Sequence, residues 1–303
     1  MWSCLPRPRR VRVPASSANL GPGFDALGLA LGIYLDCGFQ RAGRLQIRVS
    51  GRDAELISTG EDNLIWQTAL GVARDQGRIL DPIELDIVNA IPLGKGLGSS
   101  AAALTAGVVI ADALLGLNWD SHRILDEAAR IEGHPDNVAA CVLGSIVASA
   151  IDSQGITRAV RLNWPEQFCV AVVVPDFVLP TTEARSVLPA SYSREDTVFN
   201  VQRSALLIAA LAMGDTSVFP AALEDRMHQP YRSALVPGLN EMIALNAPGL
   251  LGCALSGAGP SILLFYQRGS ESVCELARDI FKSQGRECEI FKPPVAESGY
   301  SVT

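Results

Sequence analysis

Pro92-Leu93-Gly94-Lys95-Gly96-Leu97-Gly98-Ser99-Ser100-Ala101-Ala102 is a glycine-rich turn that runs straight into an apolar stretch ending near Leu115. The pattern reads as a phosphate cradle at the head of a helix. Gly94, Gly96 and Gly98 carry no Cβ, so the backbone can approach a ligand or take positive φ, and its N–H groups can converge on an anion. A helix beginning near Ser99 adds the positive end of its dipole, worth about 0.3–1 kcal/mol when exposed and ~2 kcal/mol when partly buried. A triphosphate therefore needs several amides acting together, with Lys95 and a metal ion. Ser99 and Ser100 supply oxygen ligands of the kind Mg2+ takes. Two better-known phosphate signatures fail on these letters. A Walker loop needs Ser or Thr directly after Gly-Lys, where this chain has Gly96; a dinucleotide fingerprint would need glycine at position 99, where it has Ser99. A flexible turn whose small residues serve only close packing is the competing reading.

The 303 residues suffice for two ordinary domains, and 48% hydrophobic against 19% charged residues is the balance of a compact globular protein. A net charge of −7 argues against nucleic acid or an anionic membrane as partner, so an anionic substrate has to be held by local positive groups. Seven cysteines without a Cys-x-x-Cys pair, and only three histidines, disfavour a disulfide framework or a zinc site. The basic start is not followed by an apolar core of signal-peptide length, and no run of 18 apolar residues occurs. These readings make cytoplasm the expected location.

Working outward from the turn, strands are expected over 9–13, ended by Pro14, and over 29–39 and 44–49; a helix capped by Asn63 runs to about Asp75. Alternating Ile83, Leu85 and Ile87 form the strand that delivers the chain to the turn. Helices follow from Ser99, over 121–130 and after Pro135, then strands over 145–150 and 156–162. Asn163-Trp164-Pro165-Glu166 is the expected boundary between domains at 1–166 and 167–303. Beyond it come a strand over 168–174, helices over 182–187, 195–213 and 239–246, strands over 251–255 and 262–266, a helix over 271–284 and a strand over 287–291. Strands and helices without strict alternation predict an α+β fold rather than a doubly wound parallel sheet.

Three further islands stand beside the glycine turn. In residues 14–25, PASSANLGPGFD, a loop fixed by glycines and a proline presents Asn19 and Asp25, which are otherwise an ordinary turn former and a helix cap. In residues 132–137, EGHPDN, Pro135 starts a helix whose first N–H groups Asp136 and Asn137 would cap; His134 is the functional candidate, against plain packing. In residues 255–261, LSGAGPS, Gly257 and Gly259 allow close backbone approach, or simply turn a hairpin.

Together the four islands resemble the GHMP small-molecule kinases, the superfamily of galactokinase, homoserine kinase, mevalonate kinase and phosphomevalonate kinase. Within it the PASSANLGPGFD, EGHPDN and SGAGPS runs look like the homoserine kinase family, and the likeness spans nearly the whole chain. The resemblance implies an N-terminal domain like the second domain of ribosomal protein S5, a ferredoxin-like C-terminal domain, and a site between them. It implies ATP and Mg2+, with residues 92–102 around the phosphates and Ser100 on the metal. It implies Asn19 and Asp25 at the ammonium of homoserine, Asn137 and His134 at its hydroxyl, and Arg185 and Arg232 at its carboxylate. That division suits a zwitterion, since Arg offers a bidentate fork. A second metal oxygen is expected from Asp126, counting back from His134, with Glu127 as the alternative. The reaction implied is phosphoryl transfer from ATP to the homoserine hydroxyl in threonine biosynthesis, where positioning suffices and a strong base is not compulsory. A kinase of another alcohol such as mevalonate, or a catalytically silent nucleotide-binding module, are the competing readings. A homodimer is left open.

Overall fold

The computed structural model describes residues 9–303; Cys4 and the reading of the basic start lie outside the described residues. The first half comprises β1 (Arg9–Ala18), β2 (Leu27–Arg41), β3 (Gln46–Gly51), α1 (Leu64–Asp75), β4 (Ile83–Asn89), α2 (Ser99–Leu115), α3 (Ser121–Glu132), α4 (Asp136–Leu143), β5 (Ile146–Ile151) and β6 (Thr157–Leu162). The second comprises β7 (Phe168–Pro175), α5 (Thr181–Ser186), α6 (Arg194–Met213), α7 (Phe219–Ala222), α8 (Gln229–Arg232), α9 (Leu239–Ile243), β8 (Leu250–Leu255), β9 (Ile262–Gln267), α10 (Val273–Ser283), β10 (Cys288–Phe291) and β11 (Ser301–Val302).

Period-two burial builds the first sheet: Ile83, Leu85 and Ile87 of β4 face the core while Asp86 and Val88 face out. The sheet runs β11-β1-β2-β4-β3, with β5 joining β2 and β6 joining β5; β3 and β4 are its parallel pair. The Asn63 side chain caps α1 by accepting from the amides of Ile65 and Trp66. Helix α2 is apolar around most of its circumference, so it is buried, packed against α1, α3, α4 and β1.

One expectation is corrected. Strand β1 does not end at Pro14 but continues to Ala18, because the register shifts between Pro14 and Ala15, whose partners are Tyr34 and Leu31. A proline missing its ladder donor is tolerated at such an irregularity.

The second sheet, in the order β10-β7-β9-β8, is antiparallel throughout. One face, with Phe168, Val170 and Phe265, joins Leu207, Leu211 and Phe219 in the core of the first half. The other face, with Ala171, Val173 and Leu264, packs on Leu239, Met242 and Phe281. After β10 the chain returns to the first sheet, pairing Val295 with Leu31 and Val302 with Val11. Both halves thereby close on the loops that follow β1, β4, α3 and β8.

Candidate active site

Between β4 and α2 the turn makes opposite use of its two kinds of backbone group. Its carbonyls are all engaged: Gly94 O accepts from Leu179 N, Lys95 O from Ser261 N, Gly96 O from Ser256 Oγ, Leu97 O from Ser16 N and Gly98 O from Ala102 N. Among the described residues, none of the amides from Gly94 to Ala101 donates to a protein acceptor. Gly98 caps α2 at φ 66° without a side chain, and a Cβ there would lie 2.0 Å from Ser16 Oγ. A Cβ on Gly96 would lie 2.3 Å from Ser256 O. Eight donors without a protein acceptor thus stand at a helix head, and at Gly96 and Gly98 the neighbouring chain leaves room only for glycine, an arrangement suited to an anion.

Lys95 turns away from these amides. Its ammonium donates to Pro175 O and Phe177 O, each at 2.8 Å, stapling the turn to the end of β7, and burial lowers its pKa. A side chain in an otherwise small-residue loop is free to face either domain, and here the carbonyls win it.

The carboxylate that meets Ser100 is Glu132, and not Asp126 or Glu127, the residues expected to supply the second metal oxygen. Ser100 Oγ donates to Glu132 Oε2 at 3.3 Å, whereas Asp126 accepts from Arg123 and from Thr157 N, and Glu127 is buried between Arg123 and Arg130. Helix α3 runs on to Glu132 before Gly133 ends it, and at 3.6 residues per turn positions 126 and 127 lie about 240° and 140° round the axis from it. Burial pushes the Glu132 carboxyl above its ordinary pKa, against the lowering effects of His134 and Ser100.

Across the cleft lie the other expected residues. Asn19, buried at φ 70°, donates to Gly257 O and accepts from Asp25 N, so its amide shapes the loop that presents Asp25. Asp25 pairs with Arg185 at 2.8 Å. Arg232 is 1% exposed and donates to Ala184 O and Gly257 O; among the described residues no carboxylate bonds it. Burial, then the charge of Arg185, lowers its pKa to about 10. Phe24 lies within 5.7 Å of both guanidinium carbons.

His134 donates from Nδ1 to Asp136 Oδ1 at 2.6 Å. Burial alone would lower its pKa, but the bond to Asp136 and the charges of Asp136, Glu132 and Asp25 raise it above the ordinary value. Asn137 Oδ1 accepts from Ser16 Oγ at 2.8 Å, which leaves its NH2 to face the cleft it lines. Asp25, His134 and Asp136 bring ligand-type atoms within 4.8 Å of one another, but each already has a charged or hydrogen-bonding partner.

The turn, Ser100, Glu132, Asn19, Asp25, His134, Asn137, Arg185 and Arg232 thus border one cleft enclosing about 150 Å³. Sequence reasoning missed an adjoining cavity of about 410 Å³, which shares Ser99 and Ser100 and is lined by Leu56, Ile57, Ile87 and Leu93. These residues carry no motif; their only signal is their position flanking the turn and the Asn63 cap. Among the described residues no helix is long and apolar enough to cross a membrane.

Comparison with known proteins shows which families and relatives this chain resembles. The family described as GHMP kinases N terminal domain matches residues 63–145, and GHMP kinases C terminal matches residues 207–279. The homoserine kinase of Solibacter usitatus is 69% identical, over 97% of this chain and 96% of its own. That of Deinococcus radiodurans is 43% identical, over 98% and 97%. The crystal structure of homoserine kinase from Cytophaga hutchinsonii superposes with a TM-score of 0.86 at 27% identity, covering 100% of this chain and 99% of that one.

Proposed function

This chain belongs to the GHMP kinases, and from that premise we propose that it transfers the γ-phosphoryl group of ATP to the hydroxyl of L-homoserine, giving O-phospho-L-homoserine for threonine biosynthesis. The observation that carries the reading is the cleft itself, lined on one side by residues of the turn whose amides have no protein acceptor and on the other by the Asp25 carboxylate with the guanidiniums of Arg185 and Arg232.

In this reading the amides of residues 94–101 bind the β- and γ-phosphates, and the neighbouring apolar cavity takes the adenine. Ser100 and Glu132 fit a divalent cation: two oxygens 3.3 Å apart, one of them a carboxylate whose burial is otherwise costly. Ser100 and Glu132 would hold Mg2+ there, and the ion would supply positive charge against the charge that develops on the transferring group.

The acceptor is read by charge. Asp25 holds the ammonium, while Arg185 and Arg232 fork onto the carboxylate, so the hydroxyl end is left pointing at Asn137 and His134. Asn137, with its oxygen committed to Ser16, donates its NH2 to the transferring group. A loose transition state makes a strong base dispensable; His134, backed by Asp136, takes the hydroxyl proton as it leaves. Residues 1–166 then supply the nucleotide half and residues 167–303 the carboxylate clamp. With ATP as donor, the reaction belongs in the cytoplasm.

The test is ADP release by purified protein with ATP and Mg2+, with and without L-homoserine. Homoserine-dependent ADP supports the reading. ADP release that responds to mevalonate and not to homoserine would replace it by another kinase of the family, and none with either acceptor would reject it.

A further inference from the structure

His228 and Arg232 both belong to the run HQPYR at residues 228–232, yet the proposed reaction uses only the arginine. The imidazole is fully buried, and both ring nitrogens are occupied. Arg232 Nη1 lies 3.2 Å from Nδ1; a guanidinium only donates, so Nδ1 holds a lone pair. Nε2 lies 2.7 Å from Gly21 O, which only accepts, so Nε2 carries the proton. The two contacts admit a single form of the ring, neutral and protonated on Nε2. Burial, which lowers the pKa of His228, favours the same neutral form.

The surroundings hold the ring there. Phe24 stacks on it with centroids 5.4 Å apart and planes inclined by 26°. Asp225 Oδ2 comes to 3.5 Å of Nε2, but its two oxygens accept from the amides of Met227, His228 and Gln229 and from Asn200, so the carboxylate serves chiefly to cap the segment. Gly21 lies in the loop that ends at Asp25. The imidazole therefore spans from the guanidinium assigned to the substrate carboxylate to the loop bearing the group assigned to its ammonium.

We infer that His228 is a positioning residue for amino-acid recognition: its bare Nδ1 aims the Arg232 fork, and its Nε2–H ties that fork to the Asp25 loop, setting the spacing between the two charges the site reads. The inference rests on the assignment of Arg232 to the substrate carboxylate.

Two variants of the full chain separate this role from packing. Asparagine places an oxygen near Nδ1 and keeps the acceptor for Arg232; glutamine reaches Gly21 but removes that acceptor. His228→Gln is expected to raise the homoserine KM about tenfold, the effect of losing one hydrogen bond to a charged group, with the ATP KM unmoved. His228→Asn is expected to recover most of that loss. An unchanged homoserine KM in His228→Gln, or an equal rise in both variants, overturns the inference. Nitrogen-15 NMR of the wild-type imidazole needs no variant to fold: protonation on Nε2 alone at neutral pH supports it, and an Nδ1–H tautomer or an imidazolium overturns it. Absence of homoserine-dependent ADP release from the wild type would instead reject the activity, leaving the tautomer to be read by itself.

Discussion

Glu132 carries a conflict between folding and chemistry that one substitution exposes. Its carboxyl has a raised pKa because burial opposes its charge, so its contribution to stability is greatest below the unfolded carboxyl pKa and declines as pH rises through the folded value. Glu132→Gln should therefore raise Tm at pH 7 by about 1–2 °C, with the gain vanishing near pH 4. The same change should cut kcat about 100-fold or more by removing the oxygen proposed to hold the metal, while a fall in Tm at pH 7 with kcat intact would contradict both assignments. Thermal melts at the two pH values and ADP release read this out. At this scale Asn19, Asp25, His134 and Asn137, which line the cleft, were legible as polar residues in short runs rich in glycine or proline, whereas Arg185 and Arg232 came only from the family resemblance. Glu132 was overlooked inside one of those runs because the helix end, and hence the face it presents, is set by Gly133 rather than by spacing from His134. Lys95 was misplaced because a flexible ammonium goes to whichever acceptors packing brings near, here Pro175 O and Phe177 O.

In the proposed role the turn between β4 and α2 needs its amides unpaired and its carbonyls tied to Leu179, Ser261, Ser256 and Ser16. Gly98→Ala adds a Cβ within 2.0 Å of Ser16 Oγ at a position of positive φ, which forces the helix head to move. The variant should raise the ATP KM tenfold or more, with a smaller change in the homoserine KM; steady-state kinetics varying each substrate in turn check this, and equal affinities for ATP would remove the cradle from the account. The elements around the turn were legible from periodicity and caps, as in α1 behind Asn63 and β4 with its alternating isoleucines and leucine. The short α7, α8 and β11 were not, since four residues or fewer display no period. Their placement comes from tertiary contacts such as Gln229 Oε1 accepting from Leu255 N.

Over the whole molecule, two sheets share one core through Phe168, Phe219 and Phe265, and the last residues return to pair with β1. Unfolding in urea should accordingly be a single transition, coincident by far-UV circular dichroism and by tryptophan fluorescence, which includes Trp164 stacked near Phe265; separate midpoints would contradict the shared core. The α+β class followed from the mixture of patterns, but the return of the chain to the first sheet did not, because two residues pairing with a strand nearly 300 positions earlier leave no local mark. The glycine turn and the Asp25, Arg185 and Arg232 side chains face one cleft, and in the proposed function those three charges recognise a zwitterion. The most direct test compares ADP release with L-homoserine, with 4-hydroxybutanoate, which lacks the ammonium, and with 3-aminopropan-1-ol, which lacks the carboxylate. Each lost charge should lower kcat/KM by at least about tenfold; turnover of either analogue as efficient as that of homoserine would contradict the account.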